Sequence, residues 1–176
     1  MDVSCMRMES TSGDGHKLVF AVDAKLDIPE ERLNDFQDIY KDFIEYKTIS
    51  ADLGNIPRPQ DHVQMEFLTA VDLFGKDLPN FFPKPIAKRE KLHHLHVFDG
   101  TNDWDINRWK QSEQSKRSSD SLMFYSYFEH QNVHYFYVLK FIEEPDGHSF
   151  QSEENTKGTL SKRAEGYRLQ TTGVRS

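Results

Sequence analysis

The chain has 176 residues and a mass of 20.6 kDa, the length of one ordinary domain, and 36% of its residues are hydrophobic, which is enough to supply a core. Its formal net charge of −7 argues against general affinity for nucleic acid. No apolar run approaches the roughly 20 residues of a transmembrane helix, the start lacks the apolar segment of a signal peptide, and the single cysteine, Cys5, offers no disulfide framework. We therefore expect a soluble protein of the cytoplasm.

The first half of the chain predicts one strand and two helices. Residues 1–16 are polar and are interpreted as a disordered leader. The stretch HKLVFAVDAKL then predicts a strand, and the spacing of apolar residues in the next stretch, DIPEERLNDFQDIYKDFIEYKTI, predicts a first helix. Beyond the loop NIPRPQ, a second helix is predicted from an N-cap at Asp61, the stripe Val63, Phe67, Val71 and Phe74, and a stop at Gly75.

The second half predicts mainly strands. After the proline-rich and irregular DLPNFFPKP, the stretch KLHHLHVFDG places three histidines in four positions of a strand. Side chains alternate along a strand, so His94 and His96 share one face and His93 lies on the other. A polar excursion over 101–119 precedes LMFYSYF and VHYFYVLKFI, which flank EHQN as a hairpin. The stretch TLSKRAEGYRL predicts a short last helix that docks through Leu160, Ala164 and Tyr167.

The predicted fold class is α+β: a small antiparallel sheet with two N-terminal helices packed on one face and a short C-terminal helix. We expect one domain over 17–170 and a flexible tail over 171–176. The hairpin strands are apolar on nearly every residue, so both of their faces need a cover. The two helices cover one face, and we expect a partner on the other.

Charge is unevenly distributed along the chain. Residues 1–80 hold 8 Lys and Arg against 16 Asp and Glu, whereas residues 81–176 hold 14 against 13. Two local basic patches follow, over 84–117 and 157–175. Each patch is either a contact for a phosphate backbone or ordinary solvated surface, and the sequence leaves both interpretations open.

An ordered set of short motifs resembles the YafO family of ribosome-dependent mRNA interferases, the toxins of type II toxin–antitoxin pairs. The resemblance covers roughly residues 17–170, and the element order also looks like the wider RelE/ParE toxin fold. The motifs are DFIEYK (Asp42–Lys47), LFGKD (Leu73–Asp77), the histidine strand, SSDSLMFY (Ser118–Tyr125), IEEPDGH (Ile142–His148) and KRAEGYRL (Lys162–Leu169).

The resemblance implies an endoribonuclease in which a 2′-hydroxyl attacks the neighbouring phosphodiester. This reaction needs a base, an acid and cations near the phosphoryl oxygens. Histidine can fill either proton-transfer role. The candidate catalytic residues are His148, His94, His96, Tyr125 and Asp120. Each also has a structural alternative: a surface-loop histidine, polar filler on a strand, a core tyrosine or a strand-entry cap.

The candidate RNA- and ribosome-binding residues come from the two basic patches. They are Lys88, Arg89, Lys91, Lys162, Arg163 and Arg168. Arg168 has an alternative as a structural arginine paired with Glu165.

No cofactor and no metal are expected. His-x-His on a strand is a workable two-ligand arm for zinc, but no third ligand motif stands out. The implied partners are an antitoxin encoded by an adjacent small gene, the ribosome and mRNA, without a membrane. The alternative function is a non-catalytic module of the same fold that arrests translation or regulates a partner by occupancy alone.

Overall fold

The computed structural model describes residues 6–66, 71–98, 105–142 and 154–173. In these ranges six strands form one sheet: β1 (Met8–Thr11), β2 (Lys17–Val22), β3 (Phe74–Pro79), β4 (His93–Val97), β5 (Leu122–His130) and β6 (Val133–Ile142). The helices are α1 (Leu33–Asp52), α2 (Asp61–Gln64), α3 (Ile86–Arg89), α4 (Ile106–Gln111) and α5 (Glu154–Thr172), and short 3-10 turns span Glu30–Arg32 and Gln114–Lys116.

The sheet is mixed, with the strand order β1-β2-β6-β5-β4-β3. β2 runs parallel to β6, while the other neighbouring strands are antiparallel. The predicted hairpin is present as β5 and β6, joined by Gln131 and Asn132, which both adopt positive φ as a tight two-residue hairpin turn requires.

Helix α1 forms where the sequence periodicity predicts the first helix. Its buried side chains recur at helical spacing and pack on one sheet face, together with inward-facing residues of β2, β4, β5 and β6. Phe43 lies at the centre of this cluster, with ring contacts to Phe20, Phe74, Tyr125 and Phe136. The main core therefore lies between α1 and the sheet.

Helix α5 covers the opposite sheet face. Leu160 and Ala164 are buried against Phe124 and Leu139, and Tyr167 stacks on Tyr137 with ring centroids 4.1 Å apart. The docking positions predicted for the last helix are thus confirmed. The expectation that this sheet face stays open for a partner is wrong, because the chain supplies its own cover.

The predicted fold class is contradicted in three respects. The sheet is larger than predicted and mixed; the helices lie on opposite faces; and the C-terminal helix is long, at 19 residues. The second predicted helix is only the four residues of α2, and Phe74, the last position of its stripe, begins strand β3. Phe67, another position of the stripe, lies outside the described residues.

The segment predicted as a polar excursion packs along the outer edge of β3. The indole of Trp109 donates to the Asp72 carbonyl at 2.7 Å, and the buried Arg117 guanidinium donates to the Phe74 carbonyl at 3.2 Å. The Lys76 amide donates to the Arg117 carbonyl at 2.9 Å. These contacts cover an edge strand that would otherwise present unpaired backbone groups.

Candidate functional site

Strand β4 distributes its histidines over both faces, as strand alternation predicts. His94 and His96 lie on the α5 side with ring centroids 5.7 Å apart, while His93 lies on the α1 side and stacks on Tyr125 at 5.1 Å. His94 and His96 are mostly buried, with 7% and 8% of their surface exposed. The pair is a local feature of the sheet face that α5 covers.

Each histidine of the pair is held through Nδ1. That atom of His94 donates to the Oδ1 of Asn80 at 2.5 Å, so the neutral ring carries its lone pair on Nε2. In His96, Nδ1 lies 3.0 Å from the amide nitrogen and 2.8 Å from the carbonyl oxygen of Ser119, so either tautomer has a partner. Asn80 is itself fixed, because its amide donates to the Leu92 carbonyl at 2.7 Å.

The pKa of His94 is lowered to about 3, mainly by burial and next by the neighbouring His96. The buried Lys157, in the first turn of α5, acts in the same direction. His94 is therefore neutral at pH 7. Its Nε2 is unprotonated there, and the lowered pKa makes that atom a weak base.

The loop that follows Asn80 forms a groove with aromatic and cationic walls. Phe81 and Phe82 are exposed by 55% and 50%, although they are large apolar side chains. The Lys84 ammonium lies 5.0 Å from the Phe82 ring centroid, a cation–π contact. The groove has a volume of about 770 Å³, and its lining residues are Phe81, Phe82, Lys84, Pro85, Lys88 and Arg89. We call it the Phe81–Arg89 groove.

The groove and the histidine pair are neighbours in space. Asn80 bonds to His94 with its side chain and is followed directly by Phe81. From the other side, a Cβ on Gly158 would lie 3.4 Å from Pro83, so the start of α5, which carries Lys157, packs against the same loop. Together these elements bring a neutral histidine pair, two exposed rings and several cations into one region.

The predicted RNA-binding cations separate into three environments. Lys88 and Arg89 line the groove, and Arg89 also pairs with Glu90 and Glu165. Lys91 and Lys162 are exposed away from the groove lining.

Arg163 and Arg168 fasten α5 to the rest of the chain. Arg163 pairs with Asp23, and Arg168 makes two bonds to the buried Glu90 at 2.7 and 3.0 Å. The partner of Arg168 is thus Glu90 rather than Glu165.

The remaining predicted catalytic residues are dispersed. Tyr125 is fully buried on the α1 side, and Asp120 lies half-buried at the entry to β5, next to Ser119. His148 lies outside the described residues. The structure therefore brings together His94 and His96 and separates them from Tyr125 by the thickness of the sheet.

On the α1 side of the sheet, a buried ion pair joins three of the quoted motifs. The Lys47 ammonium donates to the Asp77 carboxylate at 2.6 Å, to the Tyr125 hydroxyl at 2.8 Å and to the Pro57 carbonyl at 2.7 Å. Asp77 also accepts from the hydroxyls of Tyr125 and Tyr46, at 2.6 and 2.9 Å. All three ammonium protons of Lys47 have acceptors, as a buried cation requires.

The electrostatics of this pair favour the charged forms at neutral pH. Burial raises the pKa of Asp77, but the Lys47 charge and the hydrogen bonds from Lys47 and Tyr125 outweigh it and hold that pKa below its usual range. Burial lowers the pKa of Lys47 to about 8, against the opposing pull of Asp77. Because the surrounding side chains enclose both charges, we assign this network to stability.

Sequence reasoning missed Asn80, the exposed Phe81 and Phe82, and Lys157. A signal was present in DLPNFFPKP, where two phenylalanines stand among prolines and a lysine in a stretch with no regular structure to bury them. Nothing in the sequence marked Asn80 as the partner of a histidine 14 positions further on.

Within the described residues, no group of three His, Cys, Asp or Glu side chains is arranged to hold a metal ion. In the same part of the chain, every helix is too short or too polar to cross a membrane.

Fold and site together define a small protein with a helix-covered mixed sheet and an aromatic, cationic groove beside a histidine pair. The sequence profile of one family, described as Toxin YafO, type II toxin-antitoxin system, matches residues 51–169. The chain belongs to this family of toxins, and such a system pairs the toxin with a cognate antitoxin. Searches among curated proteins and among solved structures returned no match.

The match contains β3 to β6 and the whole region of the groove and the histidine pair. It begins after the DFIEYK motif, and it is shorter than the range of 17–170 over which the motifs were traced. The strands β1 and β2 and nearly all of α1 precede it.

Proposed function

We propose that this toxin is a ribosome-dependent endoribonuclease that cleaves mRNA in the cytoplasm without a metal and thereby stops translation. The observation that carries the proposal is the hydrogen bond from His94 to Asn80, because it joins a proton-accepting histidine to a loop that presents cations and aromatic rings. Family membership supports the toxin role and the antitoxin partner, and the chemistry is our inference.

In the proposed reaction, the unprotonated Nε2 of His94 faces the ribose and accepts the proton of the attacking 2′-hydroxyl. Lys157, which acts electrostatically on His94, would offset the charge that develops on the phosphoryl oxygens, and Lys84 and Lys88 would hold neighbouring phosphates. The acid that protonates the leaving 5′-oxygen is proposed to be His96 or His148. Lys91 and Lys162, both exposed, are proposed as contacts to ribosomal RNA.

Limited access to the histidine pair favours a substrate that a larger assembly holds in position. His94 and His96 are more than nine-tenths buried, so RNA has to be placed accurately to reach them. A ribosome presents mRNA in a fixed path, and such positioning provides much of the rate in reactions of this kind.

The test is cleavage of mRNA on programmed ribosomes by His94→Gln and Asn80→Ala proteins. We expect a loss of about 100-fold for His94→Gln, the lower end of the usual contribution of a general base, because the low pKa makes this base weak. His62→Gln, a change at an exposed histidine of α2, is the matched control and keeps wild-type cleavage. Thermal unfolding of each variant verifies that it is folded.

Three outcomes would contradict the proposal. If folded His94→Gln cleaves as well as the wild type, the histidine pair is structural filler. If the wild type arrests translation but generates no new RNA ends, the protein is the non-catalytic binding module instead. Loss of activity on treatment with EDTA would contradict the metal-independent reaction.

A further inference from the structure

We infer that the Phe81–Arg89 groove is a binding site for unpaired nucleotides, in which a base stacks on the exposed phenylalanines and the adjacent phosphates contact Lys84 and Lys88. This inference rests on the proposed function, because it places the strand next to the histidine pair. It assigns a role to Phe81, Phe82 and Lys84, which neither the motifs nor the predicted cations included.

The first argument is the exposure of the aromatic rings. Two consecutive phenylalanines leave half of their surface in water, while the other described phenylalanines are buried or half-buried. An exposed ring lacks the favourable free energy that a phenylalanine gains from burial in a core. Flat ligands recover that loss by stacking, and aromatic side chains are the usual platforms for unpaired bases.

The second argument is charge. The three cationic side chains of the groove, Lys84, Lys88 and Arg89, favour an anionic occupant. Arg89 is already partly neutralised by Glu90 and Glu165, whereas no acidic side chain lines the groove itself within the described residues. An occupant that is both flat and anionic fits these walls, and a nucleotide has both properties.

The third argument is size and placement. A groove of about 770 Å³ lies within the usual range of small-ligand sites. Asn80 connects it to His94, so a strand held there continues toward the histidines. We therefore place in the groove the nucleotides that flank the cleaved bond, rather than the reacting phosphate itself.

The first experiment measures the binding of a short fluorescent single-stranded RNA by anisotropy at low salt, which does not depend on cleavage. We expect Phe81→Ala and Phe82→Ala each to weaken binding by about 10- to 100-fold, the effect of losing one stacked base. Phe81→Trp retains binding, because it keeps the platform. The matched control is Leu53→Ala, a change at a large apolar side chain that is 64% exposed at the end of α1.

Salt dependence separates stacking from charge. We expect Lys84→Ala and Lys88→Ala each to reduce the slope of log affinity against log salt by about 0.7, the value for one phosphate contact of a single strand. The phenylalanine variants weaken binding and leave the slope unchanged.

The outcomes also distinguish this inference from the proposed function. If the wild type binds the RNA through Phe81 and Phe82 but ribosomes yield no cleavage, the groove stands and the proposed enzyme fails. If the phenylalanine variants bind RNA like the wild type, the inference is overturned. If they retain RNA binding and lose only the antitoxin, the groove is a peptide site.

Discussion

At the scale of single residues, the buried pair of Lys47 and Asp77 supports the fold more than any exposed ion pair does. Both side chains are completely buried, and their hydrogen bonds are complete. Exposed pairs such as Arg7 with Glu9 are worth little, because water screens them. Removing one charge of the buried pair leaves the other without compensation.

We expect Lys47→Met to lower the free energy of unfolding by about 3–5 kcal/mol, the usual cost of a broken buried pair. The double variant Lys47→Met with Asp77→Asn recovers part of this loss, because no charge remains buried. Urea unfolding measures both values. Lys41→Met, a change at an exposed lysine of α1, is the control. Equal losses in the single and double variants would show that the charge of Asp77 is not the cause.

The buried histidines predict acid sensitivity. Burial lowers the pKa of His93 to about 4 and that of His94 to about 3, compared with about 6.5 in an unfolded chain. Between these values the unfolded chain binds protons that the folded protein does not. Stability is therefore complete above pH 6.5 and falls as the pH drops.

We expect the two histidines together to reduce the free energy of unfolding by roughly 2–3 kcal/mol per pH unit between pH 6 and pH 4.5. His93→Phe keeps the ring stacked on Tyr125 and roughly halves this slope, because one titrating group is lost. Chemical denaturation at several pH values gives the slope. An unchanged slope in His93→Phe would assign the acid sensitivity to other groups.

At the scale of elements, the edge strand β3 depends on a glycine. A Cβ on Gly75 would lie 2.2 Å from the Arg117 carbonyl oxygen, closer than atoms can approach. Gly166, in α5, has open space around the same position. The two glycines therefore predict opposite effects of the same substitution.

We expect Gly75→Ala to destabilise the protein by about 2 kcal/mol or more, because the 105–119 segment has to move away from β3. Gly166→Ala stabilises it by roughly 0.5–1 kcal/mol through better helix propensity. Urea midpoints of the two variants test both signs. A neutral Gly75→Ala would mean that the segment moves at no cost.

The same elements show what the sequence allowed us to predict. Local periodicity determines the helix α1, the β5–β6 hairpin and the alternation of the histidine strand, so these features were predictable. Strand β3 was not, because Val63, Val71 and Phe74 fall at helical spacing by coincidence. Strand β1, with the sequence MEST, lies in the segment interpreted as a leader, since its four residues are too polar to mark a strand.

The candidate site was partly predictable for a similar reason. Strand alternation placed His94 and His96 on one face, which is correct. The groove depends on contacts between distant segments, such as Gly158 against Pro83, that no local pattern reveals. The positive charges of Arg163 and Arg168 marked a basic patch in the sequence, but their partners Asp23 and Glu90 come from elsewhere in the chain.

At the scale of the whole molecule, net charge predicts how strongly the protein attracts RNA. The chain carries −7, and only a few cations border the groove. Attraction to a free phosphate backbone is therefore weak and disappears as salt rises.

We expect purified protein to cleave naked RNA poorly at about 0.15 M salt, where the Debye length is only about 8 Å. Programmed ribosomes restore cleavage of the same message. Mapping of new 5′ ends with and without ribosomes gives the comparison. Efficient cleavage of naked RNA would contradict ribosome dependence.

The parallel pairing of β2 with β6 determines when a newly made chain can fold. Leu18 lies beside His134, over a hundred residues later in the sequence, and β6 occupies the middle of the sheet. Such a high contact order slows folding, and a chain emerging from the ribosome lacks its central strand until most of it has been made. A nascent chain is thus unable to assemble its sheet until it is nearly finished.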